Sequence, residues 1–380
     1  MTTVGIFHGL VERIGGAERV ASYLAKGLVK YGYNVKLYIV VPSGITSALR
    51  IFESWMPPEV EIITIGSTKE RRFRRFGLYR NLEDFIHDQD SVKIAEQSCD
   101  IVVQTGGGLQ PFGKTNHRRI SYCNYLWQAF NVENKYRTGF WKLYSLPYEF
   151  IMNRKLAVLK HAEHLFVIAN SNYTKQHLLS KWNFDDSNVG VIYPPVDIMK
   201  WQSHAYNEAP TRHDVVNVGR FSGDKNHELL FEIANGLSST LTLIGNTASS
   251  IDELYVAKLK KIAPLNIRFL ENIDENLVMQ ELYKTKVYLH SGHETFGLAV
   301  VEAMAAGCIP VVPDHSGHRE TVPFPELRYN SVSEARNIIQ DVLRGKFDYL
   351  LPKLNSHIKQ FDEANFQSKM KNVIDSMLAV

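Results

Sequence analysis

Two carboxylates eight residues apart, Glu294 and Glu302, bracket the stretch HETFGLAVVEAMAAGCIPVV. A β-like run (VYLH) leads to Glu294, Phe296-Gly297-Leu298 follow, and a helical pattern begins near Leu298 and ends at Gly307. A small residue at a helix entrance lets a phosphate approach free backbone N–H groups, and the helix dipole favours negative charge there. One carboxylate then guards the loop while the other sits on the first turns of the helix, which suits a ligand with hydroxyls on both sides of its phosphates. The plainer reading makes Glu302 an exposed helix residue and Glu294 a cap. A second piece, NVGRFSGDKNHELL, ends a strand at Gly219 and places Arg220 and Lys225 ahead of a helix. Both cations leave the carboxyl end of the strand together and can reach one anion, so they could neutralise a departing diphosphate inside a dry cleft. Taken alone, that segment is also a solvated turn with two surface charges.

Other patterns compete. Gly108 to Thr115 satisfies G-x-x-x-x-G-K-[ST] with Lys114 in place, but a phosphate-binding loop of that type must open a helix. Here NHRRISYCNYL follows, a β-branched and aromatic run that reads as a strand. His290-Ser291-Gly292-His293 recurs as His315-Ser316-Gly317-His318, which suggests four metal ligands, yet no carboxylate completes a familiar geometry and ordinary loop histidines are preferred. Asp88-Gln89-Asp90 lies in a helical, polar stretch away from a strand end and reads as surface. Lys69, Arg71, Arg72, Arg74, Arg75 and Arg80 interleave with Phe73 and Phe76, and Phe140 to Phe150 is rich in aromatics. Either segment is a candidate for touching a membrane surface or a phosphate-bearing acceptor. The plainer readings are a charged loop for the first and internal packing for the second; nucleic-acid binding is weaker still, for want of a basic fold or stacking platform.

The elements that must position these groups follow a repeating pattern. The run VGIFHG, the pair Gly15-Gly16 and the helically spaced Val20, Leu24, Leu28 and Val29, stopped by Gly32, lead to NVKLYIVV, so the chain opens as a β-α-β unit with parallel strands. EIITIG, DIVVQT, RISYCNYL and HLFVIAN continue an open α/β sheet. Pro194 and Pro195 mark a junction, after which DVVNVGRF, LTLIGN, NIRFLEN, KVYLHSG and CIPVVPD alternate with helical segments. We therefore expect α/β architecture with two doubly wound domains, at residues 1–195 and 196–355, and a helical segment at 356–380 free to pack back on the first. In such sheets ligands bind outside the carboxyl ends of the strands.

The 380 residues suffice for two such domains, and 44% hydrophobic with 22% charged residues excludes a disordered chain. With 43 Lys and Arg against 40 Asp and Glu, attraction to polyanions must come from local clusters. Cys99, Cys123 and Cys308 lie far apart, so neither a disulfide framework nor a cysteine zinc site is expected. No secretion signal or 18-residue apolar run stands out, and the expected location is cytoplasmic.

Five blocks in order, GGAERVASYLAKGL, ANSNYTKQHL, IYPPVD, VGRFSGDKN and HETFGLAVVEAMAAGCIPVV, resemble the retaining family 4 glycosyltransferases of the GT-B fold. The resemblance is closest to the mannosyltransferases that elongate lipid-linked oligosaccharides. It implies two Rossmann-like domains facing across a cleft, and hexose transfer from a nucleotide diphosphate sugar with retention of configuration. GDP-mannose would be the favoured donor and a UDP-hexose the next, without a metal or other cofactor, and a saccharide or lipid-linked saccharide would be the acceptor. Arg220 and Lys225 would hold the diphosphate, Glu294 the sugar hydroxyls and Glu302 the ribose. Phe296, Gly297 and Leu298 would offer backbone N–H groups, Gly15 and Gly16 would form the glycine-rich loop beside the reacting centre, and Ile273 would lie against the nucleobase. Relatives often carry a histidine where this chain has Asn124, in Tyr122-Cys123-Asn124-Tyr125-Leu126. An amide donates and accepts hydrogen bonds but cannot shuttle a proton, so Asn124 would position substrate, and His8 is a candidate substitute. A P-loop phosphotransferase using Lys114 and a non-catalytic sugar-nucleotide-binding protein are the alternatives.

Overall fold

The computed structural model describes residues 1–11, 14–41, 47–66, 88, 90–107, 116–124, 139–160, 162, 164–203, 212–247 and 250–379. The chain divides into two compact units, Met1–Pro195 with Ala364–Val380, and Val196–Glu363. The second unit thus runs on past residue 355 to Glu363. Leu354, Ile358 and Phe361 are buried, Phe361 packs edge-on against Phe296, and Val196 N–H donates to the Phe361 carbonyl at 2.9 Å.

The first unit is built on a seven-stranded parallel sheet with β1 (Thr3–Leu10), β2 (Asn34–Val41), β3 (Glu61–Gly66), β4 (Ile101–Gln104), β5 (Arg119–Cys123), β6 (Leu165–Ala169) and β7 (Val189–Val191), in the order 3-2-1-4-5-6-7. The inner strands are nearly continuous apolar runs because helices cover both faces of a parallel sheet. The helix Gly16–Lys30 turns Val20, Ala21, Leu24, Ala25 and Leu28 to the core, the face its spacing predicts, and Gly32 after it takes a left-handed φ of 82°. The terminal helix Glu363–Ala379 adds Phe366, Met370 and Ile374 to the same core. It lies so close that a Cβ on Gly27 would sit 2.6 Å from Gln367 Cγ.

The second unit has a six-stranded parallel sheet: β8 (His213–Val218), β9 (Leu241–Gly245), β10 (Ile267–Glu271), β11 (Thr285–Leu289), β12 (Ile309–Pro313) and β13 (Arg328–Tyr329), ordered 10-9-8-11-12-13. The sequence pattern missed β7 and β13, edge strands too short to show a period. Each sheet reverses its winding direction between its first and fourth strands, β1 beside β4 and β8 beside β11. At such a switch point the loops leaving the two strands diverge and open a crevice.

Candidate functional site

In the second unit, the loops leaving β8, β11 and β12 gather at that switch point. Arg220 and Lys225 come from the β8 loop, and His290 and Glu294 from the β11 loop. Lys225 Nζ lies 2.5 Å from Glu294 Oε1, and His290 Nε2 is 3.4 Å from the same oxygen. Burial by itself would raise the Glu294 carboxyl. The His290 contact and the Lys225 charge outweigh it and hold the group well below the usual carboxylate range. Glu294 is therefore an anion at neutral pH, hydrogen-bonded by Lys225, with the buried His290 Nε2 close by but making no hydrogen bond of its own. Arg220 is half-exposed, and its Nη2 is 3.8 Å from Asp224 Oδ2. The two cations expected to share an anion thus leave the same loop, but only Lys225 is tied to Glu294.

The backbone holds this cluster in place. Ser291 Oγ donates to the Lys225 carbonyl at 2.8 Å, and Gly317 N–H donates to the Glu294 carbonyl at 2.9 Å. The loops after β8, β11 and β12 are therefore stitched to one another. The helix Leu298–Ala305 starts at Gly297, whose φ of 95° is left-handed and favours glycine. Its Leu298 and Ala299 N–H groups fall in the first turn, where no helical carbonyl is in reach. Phe296 turns its ring inward onto Phe361 and offers only backbone to the site. Glu302 is 8% exposed, so it is not an exposed helix residue. Ile273 is half-buried in the loop after β10, beside Asn272, whose N–H donates to the Gly245 carbonyl at the end of β9.

The histidines that recur in sequence do gather here. His290 and His318 meet edge-on at 4.9 Å, and His293 stacks on His315 at 5.6 Å. Among the described residues no group of three or more His, Cys, Asp or Glu is arranged to hold a metal ion. His318 instead ties loops together. Its Nε2 lies 3.1 Å from the Gly292 carbonyl, which only accepts, so Nε2 carries the hydrogen and the buried Nδ1 is bare. Burial pushes its pKa down to about 3, which keeps the ring neutral. The role of His290 beside Glu294 was not read from sequence. Its i, i+4 spacing to Glu294 was the available signal.

The first unit has its own chain of contacts at the switch between β1 and β4. His8, on β1 and buried, places Nδ1 2.9 Å from Thr105 Oγ1 and Nε2 3.2 Å from Glu18 Oε1. The other Glu18 oxygen accepts from Gly15 N–H at 2.7 Å, so Gly15 caps the helix that Gly16 begins. This is one half of a capping box, the Glu18 carboxylate reaching back to the N–H of the residue before the helix; glycine has no side chain to return the bond. Burial would raise Glu18, but the His8 hydrogen bond and charge prevail and lower it, so the carboxylate accepts from His8 Nε2–H. Asn124 Nδ2 donates to the Thr105 carbonyl at 3.2 Å, while Asn170 Nδ2 donates to the Asn124 carbonyl at 2.6 Å. His8, Thr105 and Asn124 are thus neighbours. The space beside Gly15 is open enough for a Cβ, whose nearest atom would be 3.5 Å away, so at this position glycine is not demanded by its own unit.

The competing motifs resolve unevenly. Gly108–Thr115, with Lys114, and Lys69–Arg80 lie outside the described residues. The described residues that follow the motif, Asn116–Arg118, are not helical and lead into β5, where a P-loop needs its helix to continue. Asp88 and Asp90 are helical. The aromatic segment divides: Tyr148 is buried, whereas Leu143, Leu146 and Phe150 face outward, which corrects the expectation of internal packing.

Comparison with known proteins bears on the family and the fold. The model for "Glycosyltransferase Family 4" matches residues 14–200, and that for "Glycosyl transferases group 1" matches residues 200–323. A mouse GDP-Man:Man(3)GlcNAc(2)-PP-Dol alpha-1,2-mannosyltransferase is 30% identical over 177 residues, covering 42% of this chain and 36% of that protein. The Dictyostelium discoideum protein of the same name is 26% identical over 238 residues, covering 56% of this chain and 47% of that protein. The chain therefore spans about a third to a half of the length of these curated relatives. Among solved structures, Anabaena Alr3699/HepE in complex with UDP and glucose gives a TM-score of 0.68 at 16% identity over 99% of this chain and all of that one. WaaG, a glycosyltransferase involved in lipopolysaccharide biosynthesis, gives 0.68 at 15% identity over 98% of this chain and 99% of that one. With the two family models meeting at residue 200 and running together over residues 14–323, and GT-B structures matching nearly the whole chain, the protein belongs to glycosyltransferase family 4 and has the GT-B fold.

Proposed function

We propose that the protein transfers a hexose from a nucleotide diphosphate sugar to a hydroxyl of a saccharide or lipid-linked saccharide, with retention of configuration and without a metal cofactor. The observation that carries this reading is the meeting of Lys225, Glu294 and the Gly297 helix start at the β8/β11 switch point, with Glu302 on the same helix. The donor diphosphate would take the free N–H groups of the helix start and the charges of Arg220 and Lys225, whose role is to stabilise the phosphate as it departs. Glu294, held ionised, would accept hydrogen bonds from hydroxyls of the sugar, and Glu302 from the ribose. Ile273 would lie against the base. Asn124 and the Gly15-Gly16 loop would position the reacting sugar, with His8 held behind them by Glu18 and Thr105. The acceptor hydroxyl would attack from the face the phosphate leaves, with a phosphate oxygen as base, so no carboxylate nucleophile is required.

Mannose and GDP are favoured because the curated relatives carry GDP-Man in their names. A UDP-hexose is the second reading, supported by the fold neighbour solved with UDP and glucose. A phosphotransferase using Lys114 would need a helix running on through Asn116–Arg118, which instead lead into β5. The work would take place in the cytoplasm, at a membrane face. The test is a thermal-shift and turnover panel of GDP-mannose, GDP, UDP-glucose, UDP and ATP, with and without EDTA, on wild type, Lys225→Ala and Glu302→Ala. Stabilisation by one sugar nucleotide that persists in EDTA and is lost in both variants supports the reading. The anomeric configuration of the product, read by NMR, tests retention. Stabilisation by ATP and Mg²⁺ alone, unchanged in Lys225→Ala, would overturn it.

A further inference from the structure

The helix Gly139–Lys160 is two-sided in an unusual sense, because both sides are apolar. Tyr148, Met152, Leu156 and Leu159 point into the first unit. On the opposite side Leu143, Leu146 and Phe150 are 67%, 47% and 63% exposed. At 100° per residue these three and Pro147 fall within an arc of about 100°, so they form one stripe of nearly two turns rather than scattered surface residues. The helix also concentrates charge: Lys142, Arg154, Lys155 and Lys160 against Glu149 alone, in a chain whose cations and anions otherwise nearly balance. The Arg154 guanidinium stands over the Phe150 ring at 5.8 Å and closes the stripe at its carboxyl end. No described helix is long and apolar enough to cross a membrane.

From this arrangement we infer that the outward face of Gly139–Lys160 docks on a membrane bearing anionic headgroups. Leu143, Leu146 and Phe150 enter the headgroup boundary, while Lys142 and Arg154 meet lipid phosphates. Charge decides which apolar face does this. The helix Ser250–Ile262 of the second unit exposes Ile251 and Leu254 at 76% and 73%, but the exposed Glu253 stands between them, and two of its lysines, Lys258 and Lys260, are paired with Glu228 and Glu271, so this face offers anionic headgroups less positive charge. The inference gives a surface to the membrane contact proposed above. It rests on that part of the reading and is independent of the donor chemistry.

The test is sedimentation of the full chain with phosphatidylcholine vesicles made with and without phosphatidylglycerol. Wild type should bind only when phosphatidylglycerol is present. Leu143→Ser/Phe150→Ser should lower the bound fraction about tenfold or more, Lys142→Glu/Arg154→Glu should abolish the dependence on phosphatidylglycerol, and Ile251→Ser/Leu254→Ser should bind like wild type. These residues are on the surface, so all variants should melt like wild type. Three results would overturn the inference. They are wild type remaining in the supernatant, binding lost in the Ile251/Leu254 variant instead, and a concentration-dependent dimer that Leu143→Ser/Phe150→Ser splits, which would assign the face to a second copy of this chain. Stabilisation by GDP-mannose, measured without vesicles on the same proteins, separates the readings: vesicle binding can fail while donor binding stands, and the reverse.

Discussion

Replacing Lys225 by methionine keeps most of its stem and removes its charge. In the folded chain Lys225 Nζ lies 2.5 Å from Glu294 Oε1, with side chains 17% and 21% exposed. A unit pair about 4 Å apart in a medium of effective dielectric about 20 attracts by about 4 kcal/mol before desolvation. Truncating one partner of a fully buried pair costs about 3–5 kcal/mol. This pair keeps about a fifth of each side chain in water, and His290 still faces Glu294, so we expect Lys225→Met to cost about 2 kcal/mol. In a unit of this size each kcal/mol moves the melting temperature by about 2–4 °C, so the transition should fall by about 4–8 °C. The dependence on pH has a definite sign. Glu294 is held low in the folded state, so the pair's contribution is complete above the unfolded carboxyl pKa of about 4.3 and is lost as pH falls toward the folded value. Thermal melts of the two proteins should differ fully at neutral pH and converge in acid. Equal melting at neutral pH, or a difference that widens on acidification, would refute the pairing of Lys225 with Glu294.

Three further outcomes follow from the geometry. A Cβ at Gly317 would lie 2.1 Å from the Thr295 carbonyl oxygen, so Gly317→Ala should displace the entrance to the Leu298 helix, cost about 2–3 kcal/mol in urea unfolding and weaken stabilisation by the donor. Gly223→Ala, where a Cβ meets nothing within 4 Å, is the control and should change neither. Glu18→Gln should cost about 1–2 kcal/mol by weakening the bonds to His8 and the Gly15 amide. Because the folded Glu18 carboxyl is lowered, that difference should shrink as pH falls, which melts across a pH series would show. His318, pushed down to about 3, should show an NMR ring signal that does not titrate near neutral pH. Its burial as a neutral ring should draw the chain toward the unfolded state as pH drops below about 6.5.

Much of the architecture was legible from residue types. Buried parallel strands need continuous apolar runs, and runs such as LTLIGN and CIPVVPD are hard to mistake when helices alternate with them. The short edge strands Val189–Val191 and Arg328–Tyr329 were not legible, because two or three residues carry no period. The helix start at Gly297 was legible too, since a glycine before a helical pattern admits few alternatives. What escaped was pairing between loops. His290 reads as a loop histidine until β11 sets it beside Glu294, and Glu18 reads as a first-turn helix acid until β1 brings His8 against it.

By itself, then, the sequence determined the alternation of strands and helices, the two-domain plan, and the candidate groups at strand ends, because periodicity, β-branching and glycine placement are local properties of the chain. Tertiary structure alone decided which of those groups meet. Lys225 and Glu294 are 69 residues apart and touch only because β8 and β11 are neighbours across the reversal of strand order. Glu302 could have been an exposed helix residue on pattern alone; packing of its helix buried it. The reverse holds for Leu143, Leu146 and Phe150. Their composition promised a core, but a helix can bury only one side against a single sheet, and Tyr148, Met152, Leu156 and Leu159 occupy that side.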